Sequence, residues 1–296
     1  MTRQKFGQHF LKDERARRNI VAALALSPDD RVIEIGPGHG ELTELLATSA
    51  NLSGTKTKNP PPEAPACRTG GDPPSEEKPK NSLRIVAIEK DPELAEALKQ
   101  KFEGNPRIEV VTGDALKLLP ALVKDLGLKP YKLIGNIPYY ITGHLLRFLS
   151  EFENPPVVAV FMIQEEVAER IVAAPPRMNR LSAATGGWAD PKIIFRVPSG
   201  SFFPPPEVDS AVIKLVPRPD PLSPEAKIAY FSAVRALFKQ PRKTIANNLG
   251  EALRGELVKK NEIEKRLGKL SLRPQLRPQD LSREDIRKIG ATFFDA

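Results

Sequence analysis

The chain has 296 residues, of which 40% are hydrophobic and 28% are charged, so it is long enough and apolar enough to form a sizeable globular core. Its single cysteine, Cys67, excludes an internal disulfide framework, and three scattered histidines do not indicate zinc, so we predict no metal site. The net charge of +8 favours a polyanionic partner, whereas the longest apolar run, residues 157–163, is far shorter than the roughly 20 residues that span a bilayer.

The first segment, residues 1–12, is basic but lacks the apolar core of a signal peptide. We therefore expect a cytoplasmic protein with no membrane segment. Nothing in the sequence signals oligomerisation, and we expect a monomer.

Short apolar runs, each followed by a glycine or polar signal, alternate with helix-like stretches. The runs are residues 31–35, 83–88, 108–111 and 131–134, and two of the helix-like stretches are residues 41–47 and 92–102. This alternation predicts an α/β fold with a doubly wound parallel sheet. Ligands of such sheets bind at the carboxyl ends of the strands, where Gly36, Glu89, Asp114 and Asn136 fall.

A proline-rich stretch, residues 49–82, interrupts the pattern. It contains seven prolines and almost no large apolar residue. Such a composition cannot bury enough apolar surface to order itself, so we predict a flexible insertion.

A glycine-rich loop, residues 34–40, joins the first predicted strand to a helix. Its glycines allow close approach of the backbone to a nucleotide, but Glu41 stands where a dinucleotide fingerprint requires Gly or Ala, which disfavours NAD. An acid that binds ribose is expected about 20 positions after Gly36. Glu89 lies 53 positions after Gly36, and removal of the 34-residue insertion leaves 19. The alternative is a surface acid paired with Lys90 or Lys99.

Residues at two further predicted strand ends can bind a ligand. Asp114 is placed to accept a hydrogen bond from the exocyclic amine of a nucleotide cofactor's adenine, or to cap the helix that follows, and the two roles are compatible. In residues 135–139, Asn136 and a backbone carbonyl can accept both N–H bonds of an amine, Pro138 restrains the backbone, and Tyr139 can stack on the base. The motif indicates amine methylation, although the same residues also form an ordinary turn at a strand end.

The C-terminal part is basic and helical. A proline-rich segment, residues 217–224, predicts a boundary between a domain at 1–218 and a domain at 219–296. Residues 221–296 hold 16 Lys and Arg against 9 Asp and Glu, a net charge of +7, within four amphipathic stretches. We predict that this domain engages a polyanion, of which nucleic acid is the commonest, the alternative being a solvated helical face.

Taken together, seven segments of the chain resemble the KsgA/RsmA-type ribosomal RNA adenine dimethyltransferases, a family of Rossmann-like methyltransferases. These are residues 6–11, 34–40, 89, 114, 135–140, 202–212 and 242–249. The similarity covers nearly the whole chain except the insertion. It implies S-adenosylmethionine as the methyl donor and two methyl transfers to N6 of each of two adjacent adenosines near the 3′ end of small-subunit (16S) rRNA in an assembling 30S particle.

The resemblance also implies the roles of individual residues. The cofactor would be contacted by His9, Leu11, Gly36, Gly38, Glu89, Asp114 and Asn136. Asn136 and the Ile137 carbonyl would hold the target amine, Tyr139 would stack on one face of the extruded adenine, and Phe202 would cover the other. Phe202 has the alternative of being a core residue.

Two departures from the family pattern predict altered substrate contacts. Met178-Asn179 stands where the family usually has Tyr-Gly, and Gly186-Gly187 replaces a Gln-aromatic pair. Two other functions share most of the motifs: a ribosome-assembly RNA-binding factor that has lost catalysis, and a large-subunit rRNA adenine methyltransferase that confers antibiotic resistance.

Overall fold

The computed structural model describes residues 9–49, 83–127, 129–138, 141–254 and 258–294. Its strands are β1 (Phe10–Leu11), β2 (Arg31–Ile35), β3 (Arg84–Glu89), β4 (Ile108–Thr112), β5 (Lys132–Asn136), β6 (Val158–Gln164), β7 (Ala189–Val197), β8 (Phe202–Phe203) and β9 (Ser210–Pro217). Its helices are α1 (Glu14–Ala23), α2 (Glu41–Ser49), α3 (Pro92–Lys101), α4 (Ala115–Leu126), α5 (Thr142–Glu151), α6 (Glu165–Val172), α7 (Arg180–Gly186), α8 (Pro224–Leu237), α9 (Ile245–Ala252), α10 (Lys260–Lys269) and α11 (Arg283–Phe293).

Seven strands form one twisted sheet in the order β4-β3-β2-β5-β6-β9-β7. The first five are mutually parallel, as the alternation of strands and helices predicts, whereas β9 runs antiparallel to both β6 and β7. The α/β prediction is confirmed, but the all-parallel prediction is wrong for this edge. Parallel neighbours are usually joined by an α-helix that crosses over the sheet, whereas residues 198–209 between β7 and β9 hold only a three-residue 3₁₀ helix and β8, so β9 turns back antiparallel.

The predicted strands that lead to the site extend further than their apolar runs. Glu89 is the last residue of β3 and Asn136 is the last residue of β5, so both polar side chains belong to the sheet and not to the loop after it. The predicted insertion lies outside the described residues apart from Ser49, which ends α2.

Alternation along the strands gives the sheet two buried faces. Ile33 and Leu133 point to the face covered by α4 and α5, whereas Val32 and Ile134 point to the face covered by α1 and α2. Because both faces are buried, the central strands are held rigidly and their carboxyl ends form a fixed edge.

The C-terminal helices build a third core of their own. Its buried residues come from α8 to α11, with Ala183 of α7 as the contribution from the sheet domain. The Tyr230 hydroxyl of α8 donates to the Ala183 carbonyl at 2.8 Å. The four amphipathic stretches predicted in this part of the chain correspond to α8, α9, α10 and α11. The first is predicted over residues 226–239, and α8 begins two residues earlier because Ser223 caps it and Pro224 occupies its first turn.

Both departures from the family pattern lie where α7 meets this helical core. Asn179 caps α7, its side chain accepting from the Leu181 and Ser182 amides. A Cβ on Gly187 would lie 2.7 Å from the Tyr230 ring, so glycine allows that ring to pack closely. Asn179 and Gly187 therefore each have a local structural role, and an effect of the two changes on substrate contacts stays a prediction. Among the helices in the described ranges, none is both long and apolar enough to cross a membrane.

Candidate active site

A cavity opens at the carboxyl edge of the parallel strands. It is lined by every site residue that the sequence predicts within the described ranges: His9, Leu11, Gly36, Gly38, Glu89, Asp114, Asn136, Ile137, Pro138 and Phe202. Tyr139 lies outside the described residues. Residues that are up to 193 positions apart in the chain thus converge on one site.

The glycine-rich loop between β2 and α2 forms the floor of this cavity. Gly36, Gly38 and Gly40 have φ of +67°, +61° and +83°, values that residues with a Cβ rarely adopt. A Cβ on Gly36 would lie 3.3 Å from the Asn136 carbonyl oxygen, and one on Gly38 would lie 3.0 Å from the Phe10 ring. The loop therefore fits tightly between β5 and the N-terminal segment.

Glu89 is buried, with 4% of its surface exposed. Its Oε1 accepts from the Asp91 amide at 2.9 Å and its Oε2 accepts from the Gly38 amide at 3.1 Å. Burial raises the pKa of this carboxyl, and the backbone hydrogen bonds partly oppose the rise. The Lys90 backbone amide also interacts with this carboxylate, which keeps acceptor capacity for a hydroxyl group.

Asp114 has the capping role that the sequence predicts, whereas its contact with the amine of an adenine stays a prediction. It is the N-cap of α4, its Oδ1 accepting from the Leu116 amide at 3.0 Å, which confirms the capping role. Its Oδ2 lies 3.2 Å from the Lys90 Nζ and faces the same cavity. The pairing with Lys90 that was the alternative for Glu89 therefore belongs to Asp114.

Asn136 lies at the opposite end, where β5 ends. Its Nδ2 donates to the His9 carbonyl at 3.0 Å, which leaves Oδ1 as an acceptor toward the cavity. The Ile137 amide donates to the Met162 carbonyl at 3.0 Å, and no residue in the described ranges donates to the Ile137 carbonyl. Two carbonyl-type oxygens are therefore available next to each other.

The N-terminal segment closes this end of the cavity. β1 pairs with β8, so that Leu11 lies opposite Phe202, and the His9 Nδ1 lies 2.8 Å from the Pro204 carbonyl oxygen. Phe202 is 3% exposed and packs with Leu11 in the core while it also lines the cavity. Its neighbour Phe203 is 63% exposed, with the Lys12 ammonium 4.6 Å from the centre of its ring.

Sequence reasoning missed several lining residues, among them Phe10, Arg17, Glu41, Lys90 and Met162. Met162 pairs with Asn136 in the β5–β6 register but lies two residues before the end of β6, so the strand-end rule does not find it. Arg17 carries no signal, because a basic residue on an amphipathic helix is ordinarily solvated.

Another acid lies beneath the loop. Glu34 on β2 is fully buried, its Oε2 accepts from the Thr43 hydroxyl at 2.7 Å, and its Oε1 has no partner in the described part of the chain. Burial, together with the nearby Glu41 and Glu89 charges, raises its pKa to about 7. The strand that leads into the glycine loop thus carries a buried carboxyl group whose pKa lies close to neutral pH.

The arrangement joins a polar, acidic end to a neutral end. Glu41, Glu89 and Asp114 lie toward β2, β3 and β4, whereas the lining residues that β5, β6 and the described part of the loop after β5 contribute carry no charge. The acidic end suits a nucleoside with hydroxyl and amine donors, and the neutral end suits an aromatic amine held by carbonyl oxygens.

Comparison with known proteins gives consistent results. The chain matches a family model described as "Ribosomal RNA adenine dimethylase" over residues 1–53 and 77–284, so the unmatched residues 54–76 fall within the predicted insertion. It is 34% identical over 288 residues to "Ribosomal RNA small subunit methyltransferase A" of Dehalococcoides mccartyi strain CBDB1, covering 97% of this chain and 87% of that protein. The protein of the same name from Pelotomaculum thermopropionicum is 36% identical over 307 residues, covering 99% and 92%.

Solved structures agree in fold. The crystal structure of the 23S rRNA methyltransferase ErmE is 25% identical with a TM-score of 0.68, covering 96% of this chain and 99% of that one. A dimethyladenosine transferase from Plasmodium falciparum is 24% identical with a TM-score of 0.68, covering 95% and 96%. Both similarities extend over sheet and helical tail.

Proposed function

The chain belongs to the ribosomal RNA adenine dimethylase family, and we propose from the geometry of its cavity how it carries out that reaction. The protein is an S-adenosylmethionine-dependent methyltransferase that dimethylates adenosines of 16S rRNA at N6. The single observation that carries the assignment of the site is the convergence of Glu89, Asp114 and Asn136 on one cavity beside the glycine loop.

The residues at the acidic end fit the cofactor. Glu89 has acceptor capacity left for a ribose hydroxyl, and the Asp114 carboxylate can accept from the adenine amine. At Gly36 and Gly38 there is no room for a Cβ, so the backbone itself forms the wall and His9 and Leu11 cover it. When bound, the cofactor supplies an electrophilic methyl group on a sulfonium.

The neutral end fits the acceptor. An adenine amine is a poor nucleophile because its lone pair is delocalised into the ring. Hydrogen bonds from its two N–H groups to Asn136 Oδ1 and the Ile137 carbonyl would draw the nitrogen toward tetrahedral geometry and expose that lone pair. The same oxygens stabilise positive charge as it develops on the amine.

The remaining acceptor contacts orient the base. Pro138 restrains the backbone after Asn136, and its carbonyl accepts from the Ile141 amide at 3.1 Å. We propose that Tyr139 stacks on one face of the extruded adenine and that Phe202 covers the other. Catalysis is then chiefly alignment of donor and acceptor, without a nucleophilic side chain.

We also propose how the RNA is engaged. Residues 219–296 would act as an RNA-engaging domain, because residues 221–296 carry a net charge of +7 and fold around a core of their own next to α7. The substrate would be the small-subunit rRNA of an assembling 30S particle in the cytoplasm, bound by a monomer, with two adjacent adenosines near the 3′ end as targets. Residues 1–218 would form the methyltransferase domain.

The test is methylation of purified ribosomal subunits that lack the modification. Protein and S-adenosylmethionine are incubated separately with small and large subunits, and dimethyladenosines are mapped by mass spectrometry of nuclease fragments. We expect two adjacent dimethyladenosines near the 3′ end of 16S rRNA and none in the large subunit.

Two other outcomes would refute this function. Methylation confined to the large subunit would indicate the resistance-type reaction. No methylation, together with no calorimetric binding of S-adenosylhomocysteine, would indicate an assembly factor that has lost catalysis.

A further inference from the structure

Arg17 is a partly buried cation that lines the cavity from α1. One of its nitrogens, Nη2, donates to the Lys12 carbonyl at 3.2 Å, which anchors the guanidinium against the start of its own helix. Its Nε is shielded from solvent and has no hydrogen-bond partner in the described ranges. A guanidinium in this condition retains donors for a further acceptor.

Arg17 differs from the other cation of the cavity because it has no carboxylate partner in the described part of the chain. Lys90, another cation that lines the cavity, is 3.2 Å from the Asp114 carboxylate. Across the structurally described chain, Arg17 forms no ion pair of that kind. Glu41, Glu89 and Asp114 all face the same cavity, so a bound carboxylate would be repelled unless a cation lay close to it.

The position of Arg17 relative to the sheet identifies the end of the cavity that it serves. Asp114 follows β4 and Glu89 ends β3, whereas α1 packs through Ile20 and Val21 in the core that includes Ile134 of β5 and Val160 of β6. The Lys214 ammonium of β9 also donates to the carbonyl of Ala23, the last residue of α1, at 2.7 Å. In the strand order β4-β3-β2-β5, α1 therefore lies toward the end away from the adenine contact. If the adenosine lies at Asp114 and Glu89 and the methyl group faces Asn136, as proposed above, the amino-acid end of the cofactor is left on the α1 side of the cavity.

We propose that Arg17 binds the α-carboxylate of S-adenosylmethionine and is a positioning residue for methyl transfer. The proposal rests on the cofactor assignment above. Arginine and carboxylate form charge-assisted, frequently bidentate hydrogen bonds, which fix direction as well as distance. Anchoring the carboxylate would leave the sulfonium methyl directed toward Asn136, because the adenosine is held at the other end.

Calorimetric titration with two ligands tests this contact. S-adenosylhomocysteine carries the carboxylate, whereas 5′-methylthioadenosine has the same adenosine and thioether without the amino-acid end. We expect Arg17→Met to weaken binding of S-adenosylhomocysteine about 10- to 100-fold and to leave binding of methylthioadenosine within about twofold. Arg17→Lys should recover part of the loss, because it restores the charge without the planar fork.

Arg15→Met is the matched control, since Arg15 is exposed on the same helix. It should leave both affinities unchanged. Binding of methylthioadenosine by Arg17→Met also establishes that this variant is folded. If Arg17→Met does not fold, the affinities of Arg17→Lys for the two ligands are compared instead.

Three results would overturn the proposal. Unchanged binding of S-adenosylhomocysteine by Arg17→Met would show that Arg17 does not bind the carboxylate. An equal loss for both ligands would assign Arg17 a purely structural role. Weaker binding of an rRNA fragment with intact binding of S-adenosylhomocysteine would place an RNA phosphate at Arg17. Failure of the unmodified protein to bind either ligand is a different result, because it refutes the cofactor assignment itself.

Discussion

The two ends of the cavity are built by different means. At the cofactor end, Glu89 and Asp114 are carboxylates whose oxygens accept amides from Asp91 and Leu116, two residues further along the chain. At the acceptor end, Asn136 is held by the His9 carbonyl, 127 positions away, and His9 in turn lies against Pro204, 195 positions away. The cofactor end thus combines local contacts with one long-range contact, from the Gly38 amide to Glu89, whereas the acceptor end is held by long-range contacts alone.

The difference follows from what each end has to bind. Ribose hydroxyls and an adenine amine are donors, which ionised acids at strand ends satisfy directly. The acceptor is a neutral base that must enter and leave, so its site needs carbonyl oxygens and apolar walls and not fixed charge. Long-range closure by β1 and β8 then defines a pocket that forms only when the whole sheet domain has folded.

Gly135 lies on β5 next to β2, between the two ends of the cavity. Its substitution should cause the largest loss of stability and activity. It pairs with Ile35 in the β2–β5 register, and a Cβ there would lie 2.4 Å from the Ile35 carbonyl oxygen. Neither backbone can move without breaking the ladder. We expect Gly135→Ala to lower the free energy of unfolding by about 4 kcal/mol or more and to abolish both cofactor binding and methyl transfer. Urea unfolding and calorimetry measure this.

Gly143 provides the control. It is an exposed glycine in α5, and a Cβ added to it would have no atom within 4 Å. Gly143→Ala should leave stability unchanged or raise it by up to about 1 kcal/mol, because alanine favours the helix. Equal stability of the two variants would show that β2 and β5 do not approach as closely as the structure has them.

Asn136→Ala should separate the two ends. It removes an oxygen that we assign to the target amine but leaves Glu89 and Asp114 in place. We expect the single-turnover rate of methyl transfer to fall about 1,000-fold, as for loss of a key transition-state hydrogen bond, while affinity for S-adenosylhomocysteine falls less than about tenfold. Asn19→Ala, an exposed change on α1, should affect neither. A rate within tenfold of the unmodified protein would refute the proposed role of Asn136.

Sequence reasoning anticipated the cofactor end better than the acceptor end. Glu89 and Asp114 follow from a simple rule, the polar residue at the end of a parallel strand, and the structure brings both to the cavity. By contrast, no pattern in residues 9–11 or 202–204 predicts that they pair with each other, because a two-residue strand is too short to show a periodicity.

The antiparallel edge formed by β9 and β7 is not predicted from the sequence for a related reason. β7 contains Asp190, Pro191 and Lys192 within its span, which breaks the apolar pattern that marks a strand. It lies at the edge of the sheet, where such residues are tolerated. The sequence does not single out Arg17, because the lack of a hydrogen-bond partner for its Nε can be seen only in the folded structure.

Glu34 tests the electrostatics of the cofactor end. Its pKa is raised to about 7 from an ordinary value of 4.5. Between these values the folded protein binds a proton that the unfolded chain has released, so the free energy of unfolding falls as the pH rises, by about 3 kcal/mol in total. Glu34→Gln should remove this slope and make the protein more stable than the original near pH 8.

The measurement is urea unfolding of both proteins at several pH values. Glu96→Gln, an exposed change on α3, should keep the slope of the unmodified protein. If Glu34→Gln has that same slope, the carboxyl ionises normally in the fold and the acids of the cofactor end do not influence it.

Glu89→Gln should have a smaller effect that is confined to the cofactor end. The amide retains one oxygen but turns an NH₂ group toward a backbone N–H of Asp91 or Gly38, so one of the two hydrogen bonds that hold the side chain is lost. We expect affinity for S-adenosylhomocysteine to fall about 10- to 100-fold. At saturating cofactor, the transfer rate should recover to within about tenfold, because Asn136 and Ile137 are unchanged. Glu96→Gln should alter neither quantity. A rate that stays as low as that of Asn136→Ala under saturation would mean that the two ends are not separable, and that Glu89 holds the glycine loop in the position that the acceptor end also requires.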